Sequence, residues 1–292
     1  VSLRYAVVTP ARNEEVNLAR LGAAMIAQTQ PPVVWVVVDD GSTDATLSIL
    51  HELARSHPWI KPLERTGAIR EESLADGLRK ARDLDGFLLG AAPLRDEVDV
   101  VVKIDADVDF DPDYLEQLVG RFEADPLLGI ASGASYEREN GKWVRRARVA
   151  STVWGQSRAY RSECLADVMT LEPRLGWDAL DEVSVQLRGL RTKTFLDLGF
   201  RHNRPQGGRE GSSLRQAEAL GIAAWYMGYR PTYLGLRALY RARRDPAALA
   251  MLWGYFHDAV RRVPQCPNRE LVRAMRARQR FGATLRRGAP SS

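Results

Sequence analysis

Val98-Asp99-Val100-Val101-Val102-Lys103-Ile104-Asp105-Ala106-Asp107 decides how this chain folds. Valine and isoleucine dominate up to Ile104, as in a strand covered on both faces, and the run then stops at two carboxylates one residue apart. Open α/β sheets take up ligands at the carboxyl ends of their strands, so Asp105 and Asp107 stand where hard oxygen donors are useful. Working outward, residues 5–9 read as a first strand closed by Pro10, and 33–38 as a second without polar alternation. Helical spacing fills the gaps. Residues 14–28 put Leu18, Leu21 and Met25 on one face; Ser42 or Thr43 caps a helix that turns Leu47, Leu50 and Ala54 inward; 71–82 make a third. This alternation predicts an α/β fold with a mostly parallel sheet and right-handed crossovers.

Beyond Asp113 the alternation loosens. Helices are expected at 115–122 and 181–190, strands at 129–133 and 192–196, an extended basic edge at 142–149 and a glycine-rich loop at 206–213, with helices after it. At 292 residues and 45% hydrophobic, the chain can bury a full core. Two cysteines exclude a disulfide scaffold and suggest a reducing compartment. The opening apolar run is too short for a secretory h-region, and no apolar stretch is long enough to span a membrane. Charge is uneven: residues 230–292 carry 14 arginines and three acids, whereas 1–229 carry 28 bases and 34 acids. A basic tail suits anionic surfaces, lipid above nucleic acid, because no nucleic-acid reader motif accompanies it.

The run from Asp105 to Asp113, with Glu116 at the twelfth place, matches a calcium loop by spacing. Phe110 stands where the sharp turn needs glycine, Pro112 follows, and a strand leads in, so calcium is set aside. A helix start with Asp111 as N-cap and Pro112 at the first position accounts for Asp111 and Asp113. It does not account for Asp105 and Asp107, which repel unless a cation or hydrogen bonds offset them. A second acidic elbow, Val36-Val37-Val38-Asp39-Asp40-Gly41-Ser42-Thr43-Asp44, ends a parallel strand of the same sheet. One elbow can accept hydrogen bonds from a nucleobase or ribose, and the other can hold a metal that neutralises a diphosphate.

Together with Val7-Val8-Thr9-Pro10-Ala11-Arg12-Asn13-Glu14-Glu15, these motifs resemble family-2 glycosyltransferases of the GT-A fold. The resemblance covers about residues 4–230. A weaker match, Gly67-Ala68-Ile69-Arg70-Glu71-Glu72-Ser73-Leu74-Ala75-Asp76-Gly77, departs at Asp76, where the family has asparagine; residues 83–97 read as an insertion. The resemblance implies that Pro10, Arg12, Glu14 and Asp39 line the nucleotide pocket, with Asp39 towards the base and Arg70 and Asp76 as further contacts. It implies Asp105 near the ribose, and Asp107 with His202 on a Mg²⁺ or Mn²⁺ ion at the diphosphate. Residues 207–211 become a lid, with Arg204 or Arg209 offsetting leaving-group charge. Inverting transfer needs a carboxylate base, and Trp177-Asp178-Ala179-Leu180-Asp181-Glu182-Val183 supplies three acids in an order that departs from the family's pair. Asp181 is the first choice, then Asp178, then Glu182, although an aspartate before a helix also serves as a cap.

The expected organisation is a GT-A domain over 1–230, its nucleotide half 1–110 and acceptor half 111–230, followed by a basic amphipathic extension, 231–292. The expected activity moves a sugar from a nucleoside-diphosphate sugar, UDP by family analogy, to a hydroxyl acceptor in polysaccharide or glycolipid assembly. The expected location is cytoplasmic, with residues 246–287 able to contact an anionic membrane surface or to pack on the chain's own domain. The alternative is a non-catalytic nucleotide-sugar-binding subunit of a membrane polysaccharide complex.

Overall fold

The computed structural model describes residues 2–65, 81–146, 152–204 and 213–279. The run quoted above becomes β4 (Val100–Ile104), buried throughout. Around it stand β1 (Tyr5–Ala11), β2 (Val34–Asp39), β3 (Ile60–Glu64), β5 (Val108–Phe110), β6 (Leu128–Glu139), β7 (Lys142–Arg145), β8 (Ser157–Arg161) and β9 (Arg191–His202). Among the described residues they form one nine-stranded sheet, in the order β3-β2-β1-β4-β8-β6-β9-β5 with β7 on β6. The β3-β2-β1-β4 half is parallel, as expected. β8 then runs antiparallel to both β4 and β6, β9 is parallel to β6, and β5 antiparallel to β9.

Alternate side chains of the parallel strands enter two different layers. Tyr5, Val7, Trp35, Val37, Val100 and Val102 join a core with α1 (Glu15–Ile26), α2 (Thr46–Ser56) and α4 (Tyr114–Ala124), through residues such as Leu18, Met25, Leu50 and Phe122. Val8, Val36 and Val38 turn the other way, against Gly90 of α3 (Arg82–Ala91). Both faces are covered, which is why these strands read as mainly apolar runs without polar alternation. Trp35 is fully buried and its indole N–H donates to Thr9 Oγ1 at 2.9 Å.

Several local expectations are corrected. α4 begins at Tyr114 rather than on an Asp111 cap, because Arg201 holds the Asp111 carboxylate at 2.9 Å. Neither Ser42 nor Thr43 caps α2. That helix starts at Thr46, whose N–H donates to Asp44 Oδ1, while Ser42 Oγ accepts from the Asn13 N–H. The strand expected at 129–133 is the twelve-residue β6, and β3 and β8, short and rich in polar residues, escaped the periodic pattern. Residues 83–97, read as an insertion, contribute most of α3, which covers a sheet face. α5 (Trp177–Leu187) starts before Asp181, so Asp181 lies inside the helix and does not cap it. The helix expected at 71–82 falls, apart from Ala81 and Arg82, outside the described residues, as do 147–149 of the basic edge and most of the 206–213 loop.

The described residues within Val1–Glu72, Arg82–Thr170 and Val185–Gln206 make one compact unit; those within Ser73–Ala81, Leu171–Ser184 and Gly207–Ser292 make another. The whole sheet belongs to the first. The second contains α6 (Ser213–Tyr226), α7 (Pro231–Ala242), α8 (Ala250–Val260) and α9 (Arg269–Arg278). α6 and α8 touch backbone to backbone: a Cβ on Gly221 would lie 2.0 Å from the Met251 carbonyl oxygen, and one on Gly254 2.2 Å from that of Glu218. Among the described residues no helix is long and apolar enough to cross a membrane.

Candidate active site

β1, β2 and β4 leave the sheet at the same edge, so Pro10, the Asp39-Asp40 elbow and Asp105 emerge side by side. Gly41 takes a positive φ of 75°, which suits glycine, and lets Asp39 Oδ2 accept from the N–H groups of Gly41 and Ser42 at 3.2 and 3.1 Å. Among the described residues Asp39 Oδ1 is buried without a hydrogen-bond partner, a costly state that an incoming donor would relieve. Asp40 has a different task. Arg65 holds one of its oxygens at 3.2 Å and Arg82 the other at 3.9 Å.

Most remaining polar residues of the first two motifs hold each other. Asn13, at a positive φ of 53°, accepts from the Thr43 N–H at 2.8 Å; the Glu14 N–H donates to Thr46 Oγ1 at 2.8 Å; Glu15 accepts from the Ala45 N–H at 3.0 Å. Burial pulls the Asp44 carboxyl upward, but hydrogen bonds from Thr46 and from the Glu15 backbone together hold it below its ordinary range. Arg12, half-buried, has no ion-pair or hydrogen-bond partner among the described residues.

Every aspartate of the run from 105 to 111 meets a counter-charge, Asp109 and Asp111 sharing one. Asp105 pairs with Lys103, which is fully buried and also reaches Asp83 at 3.3 Å and the Gly155 carbonyl at 3.2 Å. Burial alone would lower the Lys103 pKa, but the two carboxylates outweigh it and keep the ammonium charged. Arg201 pairs with Asp109 and Asp111, and Asn203 Nδ2 donates to Asp109 at 2.8 Å.

Asp107 faces His202 and Arg204. Register explains this: His202 ends β9 opposite Val108 of β5 and Glu137 of β6. His202 Nε2 lies 3.5 Å from Asp107 Oδ1, its Nδ1 lies 3.4 Å from Glu137 Oε1, and Arg204 Nη1 is 3.6 Å from Asp107 Oδ2. Arg204 is anchored by the buried Glu14, which accepts from both terminal nitrogens at 3.2 and 2.9 Å. Burial would raise the Asp107 pKa, yet His202 and Arg204 hold it below the usual carboxylate value. Burial would lower that of His202, yet Asp107 and Glu137 hold it above the usual imidazole value.

Among the described residues no three acid, histidine or cysteine side chains converge as a complete metal cage. Asp107 and His202 fit a divalent ion that keeps most of its positions for phosphate oxygens and water, the usual habit of Mg²⁺ and open to Mn²⁺. Glu137 behind the ring is the expected orienting partner of a metal-binding histidine. Sequence reasoning passed over Glu137, Lys103 and Asp83. Lys103 inside an apolar strand was a visible signal; Glu137 carried none, because the strand was expected to end before it.

Of the three candidate bases, Asp181 is fully buried, Glu182 nearly so and Asp178 exposed, all in α5. They are counted with the second unit. Arg70, Asp76 and Arg209 lie outside the described residues.

A mixed sheet with flanking helices and acidic elbows at one strand edge defines the GT-A glycosyltransferase class. Residues 6–170 match glycosyl transferase family 2, and the chain belongs to that family. It is 35% identical over 129 residues to polyprenol monophosphomannose synthase of Mycolicibacterium smegmatis, an alignment covering 44% of this chain and 44% of that protein. The chain thus matches less than half the length of this curated relative. The fold is similar to mannosyltransferase PcManGT from Pyrobaculum calidifontis, solved with GDP-Man and Mn²⁺ (TM-score 0.58, 20% identity, 98% of this chain and 84% of that one). It is similar also to S. aureus TarS 1-349, solved with UDP-GlcNAc (TM-score 0.56, 17% identity, 87% and 73%).

Proposed function

We propose that this glycosyltransferase moves a sugar from a nucleoside-diphosphate sugar to a lipid-linked or saccharide acceptor, with inversion at the anomeric carbon. The observation that carries the reading is the Asp107–His202 pair, 3.5 Å apart and backed by Glu137, at the sheet edge that also presents the unpartnered Asp39 Oδ1. In this reading Asp39 accepts from the base, Pro10 and Arg12 line its pocket, and Asp105 lies on the ribose side. Glu14 acts through Arg204, aiming the guanidinium at the diphosphate as negative charge grows there. A divalent ion on Asp107 and His202 would supply further neutralisation of the departing diphosphate. Asp181 removes the proton of an acceptor hydroxyl, with Asp178 and Glu182 as substitutes.

UDP is the donor nucleotide suggested by the sequence resemblance, and the relatives with bound nucleotides include both GDP-Man and UDP-GlcNAc. A thermal-shift series with UDP- and GDP-sugars, with and without Mn²⁺, tests the reading. One nucleotide series should stabilise the chain in a metal-dependent way, and His202→Ala should abolish the metal dependence. Stabilisation by no nucleotide would sink the proposal; binding without any transfer would favour the scaffold subunit.

The likeness to a polyprenol monophosphomannose synthase favours a second acceptor chemistry. A lipid phosphate is already ionised near neutral pH and needs no base. Asp181→Asn decides between the two. It should lower turnover by about 10²–10⁴ with a hydroxyl acceptor and leave a phosphate acceptor nearly unaffected. Either acceptor, if lipid-linked, sets the enzyme to work at the cytoplasmic face of a membrane.

A further inference from the structure

α8 is built the wrong way round for a helix of a water-soluble unit. Its inner side carries Met251, Gly254, Tyr255 and Asp258, so its acid is buried. The outer side carries Trp253 at 65% exposure, Phe256 at 50% and Val260 at 82%, continued from Leu249 at 45% in the preceding turn. The spacing 249, 253, 256, 260 is that of a single helical face, roughly 16 Å long at 1.5 Å per residue. No lysine, arginine or glutamate interrupts it. An ordinary surface helix shows polar residues there, and an uninterrupted apolar stripe of this kind marks an interaction surface.

Arginines flank the stripe. Arg243 and Arg244 are exposed before it, and Arg261 and Arg262 just after it; Asp245 is the one acid among the exposed residues from 243 to 262. α7, packed in the same core through Leu234 and Ala238, exposes Leu236, Leu239 and Tyr240, with Arg243 6.0 Å from the Tyr240 ring. A second copy of this chain is a poor occupant, because pairing the stripes in either direction sets arginine against arginine. An anionic bilayer accepts both parts: apolar side chains and tryptophan enter the interface while arginines meet the lipid phosphates.

We propose that the outer face of α8, with its flanking arginines, docks on an anionic membrane surface. The docking is independent of the transferase reading, since it is measured without donor or acceptor. The full chain is sedimented with vesicles of phosphatidylcholine alone and of phosphatidylcholine mixed with phosphatidylglycerol, at low and at physiological salt. Binding should require phosphatidylglycerol and weaken as salt rises. Arg261→Gln with Arg262→Gln should weaken it about thirty-fold. Trp253→Ser with Phe256→Ser should weaken it at least ten-fold, with Tm unchanged because both side chains already face solvent. Absence of binding overturns the proposal. So does equal binding to neutral vesicles, or a dimer in ultracentrifugation that the Trp253→Ser variant dissolves.

Discussion

Lys103 has its ammonium group buried between Asp105, Asp83 and the Gly155 carbonyl. Lys103→Met would fill the same space yet leave two carboxylates without their cation. A fully buried pair broken in this way costs about 3–5 kcal/mol. Asp105 and Asp83 keep some solvent, 30% and 44%, so about 2 kcal/mol is expected, read by urea unfolding. Asp39→Ala removes the oxygen proposed to meet the base and should weaken nucleotide binding without touching metal affinity, separable by titration calorimetry. The acids of the site were legible in sequence because carboxylates ending apolar strands are conspicuous. Their partners were less so: Glu14 reads as a pocket residue until Arg204, distant in sequence, is seen on its carboxylate.

Elements carry a different kind of evidence. The parallel half of the fold was legible because β1, β2 and β4 are buried on both faces and therefore mainly apolar, without polar alternation. β8 was not, since Ser157-Arg158-Ala159-Tyr160-Arg161 mixes polar and apolar residues and owes its strand to pairing with β4 and β6. The contact of α6 with α8 likewise depends on a tertiary neighbour. On helix propensity alone Gly221→Ala gains about 1 kcal/mol. Against the Met251 carbonyl it should instead destabilise by about 1–3 kcal/mol, because backbones rather than flexible side chains must move apart. Calorimetric Tm checks the sign, and a rise would show that the crossing yields.

For the whole molecule, both cysteines are buried, and burial pushes the Cys164 thiol up to about 12 and that of Cys266 upward as well. A thiol reagent at pH 8 should therefore label the native chain slowly, at a rate that follows unfolding in denaturant; rapid labelling of Cys164 would contradict its packing. The carboxylates of the candidate site and their counter-charges also have a history in time. Arg201 and Asn203 stand 92 and 94 residues from the aspartate they hold, and Arg204 stands 190 from Glu14. A chain emerging from the ribosome exposes its aspartates long before strand β9 exists. The site is thus a late product of folding, completed by contacts of high sequence separation whose loop-closure entropy comes first. Until β9 pairs, Asp107, Asp109 and Asp111 are without His202, Arg204 and Arg201, and their mutual repulsion opposes closing that edge.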